Sequence, residues 1–501
     1  MKKTFLAFYA FLAGGGLFSC TKMLEEVPAD RLSQVNFYQT KEDLTLAVNS
    51  IYGQLRTNEL YGQWFPAFQE GMTDYCISRG SQVAISEYQG LDGTNIGRTD
   101  NMWRGFYQVI NNANILLDVT PRLSLPDADK NPVLGQARFL RALAYYHLVR
   151  NFGGVPVRLQ PTTSPEQIGG KRASVEEVYK AITDDLTAAE GLLPTRLDNN
   201  TVGRATAWAA KALLADVYLT RENWAAARDK AQEVIESGVF SLVDVKVPDD
   251  FDKVFGADLA ATSEEIFALK FARLNNFGWL WVSFLHPAQT PYYGLQGSRA
   301  HFTRPTLPLL RDWDDKDFRK DYNLYGEYIN TVTRAVVKFS AAEPLCFRKY
   351  RDYVPIGQPS PGLPAGNDAP VLRYPEVLLI YAEAASQAAG GPTALALERL
   401  NTVRRRAYGY APRTPSPVDL PLAGLTAASF RNLVLRERAY ELMMEGKRWY
   451  DLKRLGTDRL KTIIREAKGR EVATAHLLFP IPIQEIDNNP DIAPTDQNPG
   501  Y

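Results

Sequence analysis

The chain has 501 residues and carries 57 Lys and Arg against 57 Asp and Glu, a formal net charge of zero. That balance supplies no basic field for nucleic acid and by itself implies no polyanionic substrate. The length is enough to bury a large core and allows two or three domains.

The chain opens MKKTFLAFYAFLAGGGLFSC. Lys2 and Lys3 form a positive n-region, and an apolar run from Phe5 to Ala13 follows before Gly14-Gly15-Gly16. That run is too short to cross a bilayer, which takes about 20 residues. Residues 1–19 therefore read as a secretory signal that is removed after export. Leu17, Ser19 and Cys20 resemble a bacterial lipobox, in which the signal is cut before the cysteine. The Cys20 thiol would then hold a diacylglycerol and the new amine a further chain such as palmitate. Each buried CH₂ adds about 0.8 kcal/mol to such an anchor. Cys20 is thus expected to begin the mature protein and tie it to a bilayer, with residues 21–28 as a tether. Cys76 and Cys346 remain. Export permits a disulfide, but their separation establishes none, and they read as buried thiols.

Residues 20–240 read as helix after helix. Thr40 begins one, with Leu44, Ala47, Val48, Ile51 and Leu55 on one stripe. Trp103, Phe106, Tyr107, Ile110, Ala113 and Leu117 mark a second. A third ends at Gly153-Gly154, with Pro156 beyond. Ser174 and Glu177 form a capping box for a fourth. An alanine-rich segment through Ala205, Ala207, Ala209, Ala210, Ala212 and Ala215 allows close helix approach. Short joins between these segments predict a mainly α, TPR-like scaffold of helix pairs.

Periodicity is lost over 241–370, a loop-rich region with short strand-like runs at EEIFALKF and RAVVKFS. Helices return over 371–501: APVLRYPEVLLIYAEAASQA, TALALERLNTVRRRAYG and the long FRNLVLRERAYELMMEGKRWYDLKRLG. A Pro-rich tail is expected to pack as an extended cap. Residues 20–501 are read as one compact unit.

Catalytic patterns are absent. His147, His286, His301 and His476 form no HExxH or other metal spacing with cysteine, and there is no nucleophile elbow or Walker loop. No catalytic residue, metal ligand or cofactor is assigned. Asp92, Asp100 and Asp249-Asp250 lack EF-hand spacing, which leaves a structural calcium open. Glu437, Glu441 and Glu445 fall at i, i+4, i+8. Such a row repels unless cations answer it, and it reads as an ionic lock between scaffold helices. Trp449 and Tyr450 beside it are expected to be packed.

Aromatic residues in the irregular segments carry the binding expectation. Trp64 and Tyr75, with Asp74 and Arg79, lie in a loop-like stretch near residues 60–98. Trp279, Trp281, Tyr292 and Tyr293 lie among Asn, Gln, Gly and Pro. Flat rings beside polar groups suit a sugar, whose C–H face stacks while its hydroxyls hydrogen-bond.

The chain resembles the SusD/RagB family of surface nutrient-binding lipoproteins. The resemblance runs through Cys20, the W-x-x-x-Y-x-x-I-x-x-A-N-x-L segment from Trp103 to Leu116, and GQARFLRALAYY from Gly135 to Tyr146. It continues through RASVEEVYKAITDDL from Arg172, APVLRYPEVLLIYAEA from Ala369, E-x-x-x-E-G-K-R-W-Y-D-L-K-R from Glu441 to Arg454, and the closing NPGY. It implies a TPR-like scaffold with ligand loops on one face; it carries over that region and no assigned contact set, and the candidates within it are Trp64, Asp74, Tyr75, Arg79, Trp279, Trp281, Tyr292 and Tyr293. It also implies an outer-membrane, cell-surface location, a SusC-like TonB-dependent transporter as partner, and an oligosaccharide or polysaccharide as cargo, bound without reaction. A structural lid that gates the transporter, or a binder of peptides, is the alternative. A surface hydrolase is disfavoured by the histidine-poor loops.

Overall fold

The computed structural model describes residues 38–164, 167–197, 201–274, 276–293, 297–353 and 365–501. The leader, Cys20 and the tether lie outside the described residues. Helix α1 (Lys41–Leu55) starts at a reciprocal cap. Thr40 Oγ1 accepts the Asp43 N–H at 3.2 Å, and the Asp43 carboxylate accepts the Thr40 N–H at 2.8 Å. Leu44, Ala47, Val48, Ile51 and Leu55 are all buried, so the sequence stripe is the packing face.

Helix α2 (Trp64–Gly71) lies inside the stretch read from sequence as loop. Its residues after Trp64 are all buried, which leaves no amphipathic alternation to betray a short helix. Helices α3 (Gly93–Val119) and α4 (Asp127–Phe152) are long neighbours joined by a short turn. α4 stops where expected, because Gly153 takes φ +75°, a left-handed conformation that suits glycine. Ser174 caps α5 (Val175–Leu192) through the box with Glu177. Helix α6 (Ala207–Thr220) packs between α5 and α7 (Trp224–Glu236), and its buried Ala207, Ala209, Ala210, Ala212 and Ala215 permit the close approach.

The array then continues across the loop-rich insertion. α7 packs on α8 (Tyr374–Ala388), which carries α9 (Ala394–Ala407) and α10 (Ala427–Glu441). Two further helices, α11 (Arg448–Lys453) and α12 (Thr457–Lys468), precede the tail. The TPR-like arrangement of neighbouring helix pairs is therefore present, with the two halves of the chain adjoining at α7 and α8.

Short antiparallel ladders brace the insertion. β1 (Ile77–Ser78), β2 (Glu265–Leu269), β3 (His301–Phe302), β4 (Leu324–Tyr325), β5 (Glu327–Ile329), β6 (Val336–Lys338), β7 (Cys346–Phe347) and β8 (Ala369–Arg373) pair as β1–β3, β2–β8, β4–β7 and β5–β6. β8 corrects one expectation, since APVLR was read as the start of a helix. Pro370 and Pro375 explain the break: the first sits in a strand, and the second is in the first turn of α8 where its missing N–H costs nothing.

A second correction concerns the long C-terminal helix. It ends at Glu441 and resumes at Arg448, with Met444 at φ +63° and Gly446 at φ +71° between. Glu445 therefore lies in a turn and not on the helical row with Glu437 and Glu441. The ionic lock is nonetheless formed. Glu441 accepts from Arg319 at 3.1 Å, Arg373 at 3.0 Å and Arg406 at 2.6 Å. Glu437 accepts from Arg319 at 2.6 Å, and Glu445 from Lys349 at 2.5 Å and Arg373 at 2.6 Å. Burial would raise the Glu441 carboxyl, but Arg406, Arg373 and Arg319 together hold it well below the usual range. Trp449 and Tyr450 are buried.

The main core runs from Leu44 to Ile492, so both ends of the described chain share it. A smaller cluster of Ile77, Phe302, Leu307, Tyr325, Tyr328 and Cys346 lies under the β5–β6 hairpin. Cys76 and Cys346 are separate buried thiols without a bridge. The tail is pinned to the end of α4, where Asn498 donates to the carbonyls of Phe152 at 2.9 Å and Phe479 at 2.7 Å. Among the described residues no helix is long and apolar enough to cross a membrane.

Candidate functional site

Trp64 is the residue of α2 that escapes the core, because it occupies the first helical position while the rest of the helix is enclosed. Its half-buried indole has two neighbours. Phe284 lies with ring centroids 5.3 Å apart at 57°, and the Arg98 guanidinium sits over the indole at 3.6 Å from its centroid. Arg98 is held there by hydrogen bonds to Asn95 Oδ1 at 2.9 Å and Ser81 Oγ at 3.0 Å. Asp92 caps α3 by accepting the Asn95 N–H at 2.8 Å, which fixes the turn that presents Arg98.

Arg79 borders the same loops. Pairing of β1 with β3 sets its backbone, whose N–H donates to Ala300 at 2.9 Å. Its side chain, 43% exposed, donates to the Ser298 carbonyl at 2.6 Å and lies 3.6 Å from Glu343. Ser298 is joined in turn to Ser283, next to Phe284, by a backbone bond of 2.8 Å. Trp64 and Arg79 thus belong to one loop cluster, built from residues near 60–98 and 277–303.

A second aromatic group surrounds Tyr292, also half-buried. Tyr325 packs edge-on at 5.1 Å, and the exposed Tyr353 ring lies at 6.3 Å and 68°. Arg348 donates to the Tyr292 hydroxyl at 3.3 Å, and Arg351 to the Tyr353 hydroxyl at 3.0 Å. Exposed Phe277 stands apart, with the Arg56 guanidinium 5.7 Å from its centroid.

Five of the eight expected ligand residues are buried inside the protein: Asp74, Tyr75, Trp279, Trp281 and Tyr293. Asp74 takes two hydrogen bonds from Arg448, at 2.9 and 2.7 Å. Tyr75 donates to Glu70 and accepts the Met444 N–H at 3.1 Å, so it anchors the turn between α10 and α11. Trp279 donates to the Tyr61 carbonyl at 2.8 Å and packs edge-on against Tyr350 at 4.6 Å. Trp281 is fully buried against His301, at 5.1 Å, and Phe284. Tyr293 is fully buried on His286, at 6.2 Å. Gly, Asn and Pro around these rings signal loops, but the loops fold over them as lids of local core.

Sequence reasoning missed Arg98, Phe284, Tyr353 and Arg348. Arg98 is hidden in the helical run of α3. It lies in the first turns of α3, where Gly93, Thr94 and Ile96 are exposed while Asn95 and Thr99 are buried. The histidines are structural where buried. His147 meets the Tyr61 hydroxyl at 2.6 Å, His286 the Tyr350 carbonyl at 2.8 Å, and His301 the Ser78 hydroxyl at 2.7 Å.

This architecture, a helical-pair scaffold with a looped aromatic face, has counterparts. Residues 25–219 match a family described as starch-binding and associating with the outer membrane, and residues 320–501 match the SusD family. A SusD-like protein P2 of Formosa agariphila is 30% identical, with 100% of each chain covered. The chain belongs to the SusD/RagB family. Among solved structures, a SusD homolog from Bacteroides thetaiotaomicron superposes with a TM-score of 0.79 at 24% identity, covering 94% of this chain and 99% of that one. The surface glycan-binding protein A from Bacteroides uniformis does so with a TM-score of 0.75 at 22% identity, covering 92% and 99%. These likenesses establish the mainly α SusD fold.

Proposed function

We propose that the protein is a surface glycan-binding lipoprotein that captures an oligosaccharide at the Trp64 loop cluster and delivers it to a SusC-like TonB-dependent outer-membrane transporter. The observation that carries this reading is the half-buried Trp64, in contact with Phe284 and Arg98, with the exposed Arg79 linked to the same loops through Ser298 and Ser283. A rigid aromatic ring with ready hydrogen-bond donors beside it is what pyranose recognition requires. Tyr292 and Tyr353 offer a second stacking position for a longer chain. Membership of the family, and a fold neighbour that is itself a glycan-binding protein, support the same reading.

The protein binds and releases its cargo without turnover. Cys20 carries the lipid that keeps it at the outer membrane, and a Cys20→Ala variant loses palmitate labelling. Titration of the soluble chain from Thr21 against a polysaccharide panel tests the site. Binding of one class that is lost in Trp64→Ala supports the reading. Peptide binding through the same loops, with no saccharide bound, would overturn it.

A further inference from the structure

Arg98 covers the ring that a neutral sugar would use. Its guanidinium lies 3.6 Å from the Trp64 centroid and is anchored to Asn95 and Ser81. A neutral pyranose stacking on that face has to displace it, losing the cation–π contact and both hydrogen bonds. Phe284 flanks the same indole, at 5.3 Å.

Arg98 also lacks a direct counter-ion. Among the described residues it forms no ion pair; burial disfavours its charged form, and the Asp92 carboxylate, beyond ion-pair distance, offsets that only in part. The other arginines around the two aromatic groups differ: Arg79 and Arg299 face Glu343, Arg348 faces Asp321, and Arg351 faces Asp249. A guanidinium has five N–H groups. Those of Arg98 that do not reach Asn95 or Ser81 meet no acceptor among the described residues. A half-desolvated cation with spare donors, held flat on an aromatic ring, is complementary to an oxyanion at its edge.

We infer that Arg98 makes the Trp64 site selective for anionic saccharides, with a carboxylate or sulfate group on the sugar bound by the guanidinium while it stays on the indole. Net charge gives no hint of this, since the chain is neutral as a whole. The selectivity is local and rests on the reading of the Trp64 cluster as the glycan site. The anionic ligand completes an ion pair that the fold leaves open, and Asn95 and Ser81 keep the guanidinium in place.

The test is titration calorimetry of the chain from Thr21 with three oligosaccharides of matched length. One is an oligogalacturonate, one a carrageenan fragment and one a neutral laminarin fragment. At least one anionic probe is expected to bind about tenfold more tightly than the neutral one, as charge-assisted hydrogen bonds allow. Its affinity should fall about threefold or more from low to physiological salt. Whichever of the two anionic probes binds identifies the group as carboxylate or sulfate. Arg98→Gln should abolish the preference, and Arg98→Lys should restore only part of it, because a point charge lacks the planar fork. Thermal melts of both variants exclude a folding defect, and the salt dependence of the wild type needs no variant. Neutral binding at equal or higher affinity, or a preference that survives Arg98→Gln, overturns the inference and leaves the glycan site standing. Silence of all three probes overturns both.

Discussion

Arg448 and Asp74 are 374 residues apart in the chain and joined by two hydrogen bonds, of 2.9 and 2.7 Å. The pair ties α11 to the loop after α2, and so fixes the Trp64 helix to the C-terminal half. Both side chains are nearly closed to solvent, with 9% and 6% exposure. Asp74→Ala leaves a buried guanidinium without its counter-ion, which costs about 3–5 kcal/mol. Urea unfolding should show that loss. A variant as stable as the wild type would contradict the assignment.

The buried tryptophans and Trp64 separate folding from binding. Trp281→Ala removes a fully buried indole and should cost about 3–5 kcal/mol. Trp64→Ala removes a partly buried ring and should cost less stability than Trp281→Ala. Saccharide affinity should respond in the opposite order, lost in Trp64→Ala and retained in Trp281→Ala at temperatures where the latter is folded. Calorimetric melts and titrations on the same samples check this.

These two tryptophans also show what the sequence could convey. The helices announced themselves: the α1 stripe, the Ser174 box and the Gly153 stop all arise from local rules, and the structure has each one. The family, and with it the mainly α scaffold, was legible from motif order. Side-chain exposure in the loops was not. Whether Trp279 faces water depends on Tyr61, 218 residues away, accepting its N–H. The same non-local dependence hid Arg98, whose partner ring belongs to another helix.

Acid should unfold the protein through its buried imidazoles. Burial pushes His286 down to about 4 and His301 to about 3, from an ordinary 6.5. Both are neutral in the fold, so the stability they confer is fully present above pH 6.5 and is lost as pH falls towards 4 and below. His286→Gln should flatten the stability profile across that window by about 3 kcal/mol. Denaturant melts from pH 7 to 4 measure it. Parallel profiles for variant and wild type would refute the claim.

The thiols offer an independent check. Burial pushes Cys346 up to about 12 and Cys76 higher still, and neither is bridged. The chain from Thr21 should therefore react with a thiol reagent slowly when native and at both cysteines once denatured. A count of zero in denaturant without reductant would reveal a disulfide and contradict the structure.

The most direct test of the account is titration of the soluble chain from Thr21 with the saccharide panel, beside Trp64→Ala. The account predicts micromolar to millimolar binding of one saccharide class, abolished in a Trp64→Ala variant that is folded at the temperature of the titration. Unchanged saccharide affinity in that folded variant would contradict it.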